Sequence, residues 1–125
     1  MTDRIKPQGF TRILLAFGNT RNGLQAAWRE EAAFRQELCL AAIVVPLGLW
    51  LGRNGIERSL LIAPMLLVLV IELLNSAIEA VVDRIGSERH ELSGMAKDLG
   101  SAAVFAGFVL LIACWILVLT DRGMR

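Results

Sequence analysis

Apolar positions along the chain fall into one weak periodicity followed by three long runs. Between Phe10 and Trp28 the residues Phe10, Leu14, Phe17, Leu24 and Trp28 recur at steps of three, four or seven, with Arg12, Asn19, Asn22 and Arg29 between them. That spacing predicts an amphipathic helix over about residues 8–29, lying in an interface rather than crossing it. Gly18 or Gly23 is the expected place for a break in it.

From Leu38 to Leu51 the chain reads LCLAAIVVPLGLWL, 14 residues without a charge. At a rise of 1.5 Å per residue they cover about 21 Å of a hydrocarbon core roughly 30 Å thick. A spanning helix must therefore begin earlier, at about residue 31, which carries Glu31, Arg35, Gln36 and Glu37 towards the membrane boundary. There, polar side chains need protein partners or water. Asn54-Gly55 signals a turn, and a second helix is predicted over about 56–85, stopped at Gly86. A third is predicted over about 94–120 with Ser93 as its N-cap. Its 21 uncharged residues, Leu99 to Leu119, are enough for a full crossing. The fold class expected is all-α: three transmembrane helices plus an N-terminal surface helix, forming one domain over residues 1–125.

Composition strengthens the membrane reading, because 55% of the residues are hydrophobic and the mean hydropathy is +0.56. Thirteen basic residues nearly balance 12 acidic ones, which excludes the basic footprint of a nucleic-acid binder. The polar segment Met1 to Gly9 does not resemble a cleaved signal peptide, so the first span is expected to be the insertion signal. Six Lys and Arg precede the first span (Arg4, Lys6, Arg12, Arg21, Arg29, Arg35) and three flank the second connection (Arg84, Arg89, Lys97), against four elsewhere. This bias predicts a cytoplasmic N-terminus and second connection. Cys39 and Cys114 lie in apolar runs and are expected to be packing residues. Trp50 and Trp115 are expected as interfacial anchors on the far side, and Trp28 on the cytoplasmic side.

The chemistry concentrates on the second span. Glu72, Asn75, Ser76, Glu79 and Asp83 are spaced by 3, 1, 3 and 4, so they share one stripe of the helix. If the helix enters the apolar core near Ser59, Glu72 lies about 20 Å along it, roughly 10 Å inside the cytoplasmic boundary. A carboxylate at that depth is costly unless it faces protein or a wet cavity, and it marks a functional site. Asp83 fits better as a helix-joining or boundary group. Lys97, Asp98 and Ser101 open the third helix at the same level, and Lys97 suits phosphate or a snorkelling role. His90 has no second histidine or cysteine ligand nearby, so a zinc site is not expected there. Carboxylates beside a lysine suit Mg2+-dependent phosphoryl transfer to a lipid hydroxyl, although no Walker motif or protein-kinase signature occurs. On residues alone, a lipid kinase is one option beside a proton relay or transport protein.

ELLNSAIEAVVD at Glu72–Asp83, AKDLGSAA at Ala96–Ala103 and GFTRILLAFGNTRNGLQAAWREEAAFRQE at Gly9–Glu37 closely resemble the prokaryotic diacylglycerol kinase family, over nearly the whole chain. The resemblance implies a homotrimer with sites built across subunit boundaries, and phosphorylation of diacylglycerol to phosphatidic acid by ATP with Mg2+. It implies a multi-pass protein of the bacterial cytoplasmic (inner) membrane acting in phospholipid recycling. By the same resemblance Glu72 is the general base and Asn75 aligns the reacting groups. Glu31 and Glu79 ligate Mg2+. Lys97 and Asp98 contact the nucleotide, as do Arg12, Asn19, Glu88, Arg89 and His90. Arg12, Gln36, Glu72 and Ser101 meet the lipid. Asn19 and Arg89 stand where the family pattern carries aromatics, and Met95 where it carries a basic residue. Two other readings remain: an undecaprenol kinase of the same fold, and a non-enzymatic trimeric scaffold or channel.

Overall fold

The computed structural model describes residues 5–123; Arg4 and the other first residues of the expected polar leader lie outside them. Four helices follow in order: α1 (Gly9–Glu30), α2 (Ala32–Leu51), α3 (Gly55–Ile85) and α4 (Glu91–Asp121). Among the described residues there is no strand, and α2, α3 and α4 are long and apolar enough to cross a membrane.

α1 runs unbroken through Gly18 and Gly23, contrary to the expected break. Neither glycine has a neighbouring atom within 4 Å of where a Cβ would lie, so nothing there forces the backbone to bend. The break falls instead at Glu31, whose backbone is extended (φ −108°, ψ 103°). Glu31 N–H donates to the Ala27 carbonyl, closing α1. The Arg35 guanidinium then donates to the carbonyls of Trp28 (2.7 Å) and Arg29 (3.2 Å). A cation at the end of α1 satisfies carbonyls left without helical partners and suits the negative pole of the helix.

Asn54 caps α3 by accepting from Glu57 N–H at 2.9 Å, and Glu57 Oε2 accepts from Arg53 N–H at 2.8 Å. This reciprocal arrangement resembles a capping box. At the start of α4 the cap is His90, not Ser93: Nδ1 accepts from Leu92 N–H at 3.1 Å, and the helix begins at Glu91. The last turn of α4 is tied back by Arg122, which donates to Glu57 Oε2 at 2.7 Å and to the Leu51 carbonyl.

α3 is the spine of the bundle, packed on α4 along one side and α2 along the other. Its buried positions are Leu61, Pro64, Met65, Val68, Glu72, Asn75 and Val82, a continuous stripe at helical spacing. Between apolar helices in lipid, close packing rather than the hydrophobic effect holds the contact, and small residues permit it. Gly107 of α4 faces Val68 and Ile71, and a Cβ there would meet them at 3.3 and 3.1 Å; Gly48 of α2 abuts Leu61 and Ile62 in the same way. Trp115 departs from the expected role of an interfacial anchor. It packs on the cluster of Ala41, Met65, Val68 and Leu111, and its Nε1 donates to the Leu61 carbonyl at 2.9 Å. That carbonyl is next to Leu60's, which the buried Pro64 leaves without its helical N–H.

Candidate active site

The buried stripe of α3 changes character halfway along. Leu61, Met65 and Val68 are fully buried and apolar; one turn later the same face presents Glu72, 4% exposed, and Asn75, 9% exposed. Helical spacing keeps the face constant while its chemistry switches. Asn75 Nδ2 donates to Glu79 Oε1 at 3.4 Å, a long bond that links the two polar turns. Gly100 of α4 lies directly against Asn75 Oδ1.

Glu72 does not stand alone. It is within electrostatic reach of Glu31, at the break between α1 and α2, and of Glu79. Glu37 on α2 is 6% exposed and also lies close enough to Glu72 to repel it. Two helices, α2 and α3, and the break that precedes α2 thus bring four carboxylates to one level. None of the four has an ion-pair partner among the described residues. Glu37 Oε2, Asn75 Oδ1 and Ser76 Oγ are buried without a hydrogen-bond partner, which is unusual for polar atoms in a low-dielectric setting.

Two cavities flank this level. One of about 410 Å3 lies between α1 and α3, lined by Thr20, Gly23, Glu30, Glu31, Ser76 and several alanines. The other, of about 470 Å3, sits under the α3–α4 connection, where Glu88, Arg89 and His90 meet Asp83 and Lys97. Lys97 Nζ lies 2.7 Å from Asp83 Oδ1 and within electrostatic reach of Glu79.

The residues singled out in the sequence therefore divide into groups. Glu72, Asn75, Glu79 and Glu31 converge. Lys97, Glu88, Arg89 and His90 share a cavity at the end of the same stripe. Asp98 and Ser101 are exposed on α4, Gln36 on α2, and Arg12 and Asn19 on α1; none of the five lines either cavity. Two residues went unassigned: Glu37, which the sequence placed near the boundary but gave no role, and Gly100. For Glu37 the available signal was its spacing, one helical turn and a half past Glu31 and inside the first span.

No three of the described His, Cys, Asp and Glu residues form a closed metal cage. A protein usually supplies Mg2+ with one or two carboxylates and leaves the remaining positions to substrate phosphates and water. Glu31 and Glu79 are hard oxygen donors of that kind, both within electrostatic reach of Glu72, and they fit an ion that arrives with a nucleotide.

A family model described as "Prokaryotic diacylglycerol kinase" matches residues 18–119. The chain belongs to this family. It is 54% identical over 111 residues to the diacylglycerol kinase of Escherichia coli (strain K12), covering 89% of this chain and 91% of that one. Identity is 49% over 110 residues to the diacylglycerol kinase of Haemophilus influenzae, covering 88% and 93%. To that of Helicobacter pylori (strain 26695) it is 42% over 110 residues, covering 88% and 86%. The carboxylate level, the capped connection and all three candidate spans lie wholly or largely inside the stretch that matches the prokaryotic diacylglycerol kinases.

Proposed function

We propose that this chain is a diacylglycerol kinase, transferring the γ-phosphoryl group of ATP to the free hydroxyl of diacylglycerol within the bacterial inner membrane. The observation that carries the reading is the buried Glu72 carboxylate, set into an otherwise apolar helix face beside Asn75 and facing Glu31 and Glu79. The lipid hydroxyl oxygen forms the new bond to phosphorus, the bond from phosphorus to the ADP oxygen breaks, and Glu72 accepts the hydroxyl proton. Such transfer demands alignment and charge neutralisation more than covalent chemistry. Asn75 braces Glu79, so the two side chains act as a unit. Glu31 and Glu79 would hold Mg2+, which neutralises phosphate charge when bound.

Nucleotide phosphates enter from the connection end, where Lys97 gives a cation and Arg89 with His90 line the cavity. Asp98, Arg12, Asn19 and Glu88 are the further nucleotide contacts, and Gln36 and Ser101 the further lipid contacts. Exposure of Arg12, Asn19, Gln36, Asp98 and Ser101 in one chain suits sites completed by a neighbouring subunit of a homotrimer. The basic bias of the N-terminal segment and second connection supports placing both in the cytoplasm, where ATP is. Residues 1–125 act as one domain.

The deciding experiment is a side-by-side phosphorylation assay with diacylglycerol and undecaprenol in the same bilayer mimic. Preferential labelling of diacylglycerol, dependent on ATP and Mg2+, is expected. Preferential labelling of undecaprenol replaces the substrate, and no lipid labelling at all leaves only a scaffold or channel.

A further inference from the structure

Gly100 lies in the interior of α4, where glycine is disfavoured relative to alanine because it gives up more backbone freedom and packs nothing. Its surroundings explain it. A Cβ at Gly100 would lie 2.0 Å from Asn75 Oδ1 and 3.1 Å from its Cγ, far inside any permitted contact. Gly100 is itself buried, and an Asn75 side chain that swung clear of a Cβ would give up the Nδ2 bond to Glu79 Oε1.

Gly107, two turns further along α4, is a different case. There a Cβ would meet the ends of the Ile71 and Val68 side chains at 3.1 and 3.3 Å, apolar groups that can yield by tenths of an ångström. At Gly100 the obstacle is the largely buried Asn75 amide, whose Nδ2 donates to Glu79 Oε1. Oδ1 is without a conventional donor, so the seat is shaped by the absence of a side chain rather than by a polar partner.

We propose that Gly100 is a positioning residue for phosphoryl transfer: the space left by its missing side chain seats the Asn75 amide and thereby holds Asn75 against Glu79. The inference rests on the reading of Asn75 and Glu79 as site residues. It assigns a residue that touches neither nucleotide nor lipid, acting through the amide of another helix. Alanine at position 100 forces Asn75 to turn away, Glu79 loses its donor, and a displacement of about an ångström in such a site costs roughly a hundredfold in rate.

The test is a double-mutant cycle on the full-length protein in a bilayer mimic, with Gly107→Ala as control. Gly100→Ala is expected to lower kcat by roughly tenfold to a hundredfold, leave KM for the lipid unchanged and raise the Mg2+ concentration for half-maximal rate. Gly107→Ala is expected to leave the Mg2+ requirement unchanged. In an Asn75→Ala background, Gly100→Ala should change neither the residual rate nor the thermal midpoint, because the amide it would strike is gone. The thermal midpoint keeps the cycle readable even where Asn75→Ala has no measurable rate, or where Gly100→Ala alone fails to fold. Wild-type kcat and Mg2+ requirement in Gly100→Ala, with Asn75→Ala inactive, would overturn the assignment of Gly100 alone. Equal losses from Gly100→Ala in both backgrounds would reduce it to a packing glycine. Full activity in Asn75→Ala would remove Asn75 from the reaction and Gly100 with it.

Discussion

Lys97 Nζ and Asp83 Oδ1 stand 2.7 Å apart, joining the last turn of α3 to the second turn of α4 across the connection at 86–90. The cation expected to meet phosphate thus has a carboxylate on the neighbouring helix as its partner. Both side chains are substantially exposed, 44% and 67%, so the pair is screened and easily exchanged.

Asp83→Asn should therefore release Lys97 and remove one negative charge from the cavity where phosphate enters. The expected result is a KM for ATP lower by roughly twofold to fivefold at low salt, with the difference vanishing at high salt as screening rises. Steady-state kinetics at two ionic strengths check it. An increased KM would show that Asp83 aims Lys97 rather than competing for it.

Glu72→Gln keeps the shape of the side chain and removes its capacity to accept a proton. Turnover should fall by roughly a hundredfold to ten-thousandfold, while nucleotide binding, measured by titration, stays within about twofold of the parent. Retained turnover would take the base role away from Glu72.

Glu79→Gln weakens a hard anionic donor without altering the Asn75 bond to its remaining oxygen. The Mg2+ titration of the rate should shift to higher concentration with kcat at saturating Mg2+ much less affected. An unchanged titration would remove Glu79 as a metal ligand.

Glu37 is buried, carries an unpartnered Oε2 and faces the charge of Glu72. An isosteric neutral group there removes a repulsion and the cost of desolvating a charge. Glu37→Gln should raise the thermal midpoint in detergent. A lowered midpoint would show that the carboxylate has a partner in the assembly beyond this chain.

Trp115→Phe removes the donor to the Leu61 carbonyl and leaves the aromatic contact with the core. A loss of roughly 0.5–1.5 kcal/mol in stability is expected, with kcat unchanged, since the ring lies at the end of α3 remote from Glu72. A change in kcat at constant stability would contradict that separation.

The helices and the acidic face of α3 could be read from the chain because both rest on spacing: apolar runs of bilayer length, and polar residues three or four apart. What escaped was set by particular contacts, local at the helix ends and long-range inside the bundle. Gly18 and Gly23 invite a break by propensity, yet the chain turns at Glu31, where Arg35 takes up the carbonyls that α1 exposes. Ser93 is the better N-cap by type, but His90 lies where the connection ends and its ring nitrogen reaches the Leu92 amide. Trp115 resembles a membrane anchor in one dimension and becomes a cross-helix donor only when α3 brings the Leu61 carbonyl beside it. Glu37 and Gly100 could not be assigned for the same reason. Each has meaning only through Glu72 or Asn75 on another helix.

Arg122 fastens α4 to both Glu57 and the Leu51 carbonyl, while Arg58 donates to the Gly52 carbonyl at 3.1 Å and Trp115 to Leu61. At the opposite extreme of the bundle α3 and α4 are joined by the exposed Lys97–Asp83 pair. The bundle is consequently clasped like a hinge pin by half-buried arginine ties at the tip away from Glu72, while the ion pair joining α3 and α4 at the other tip is exposed and readily screened.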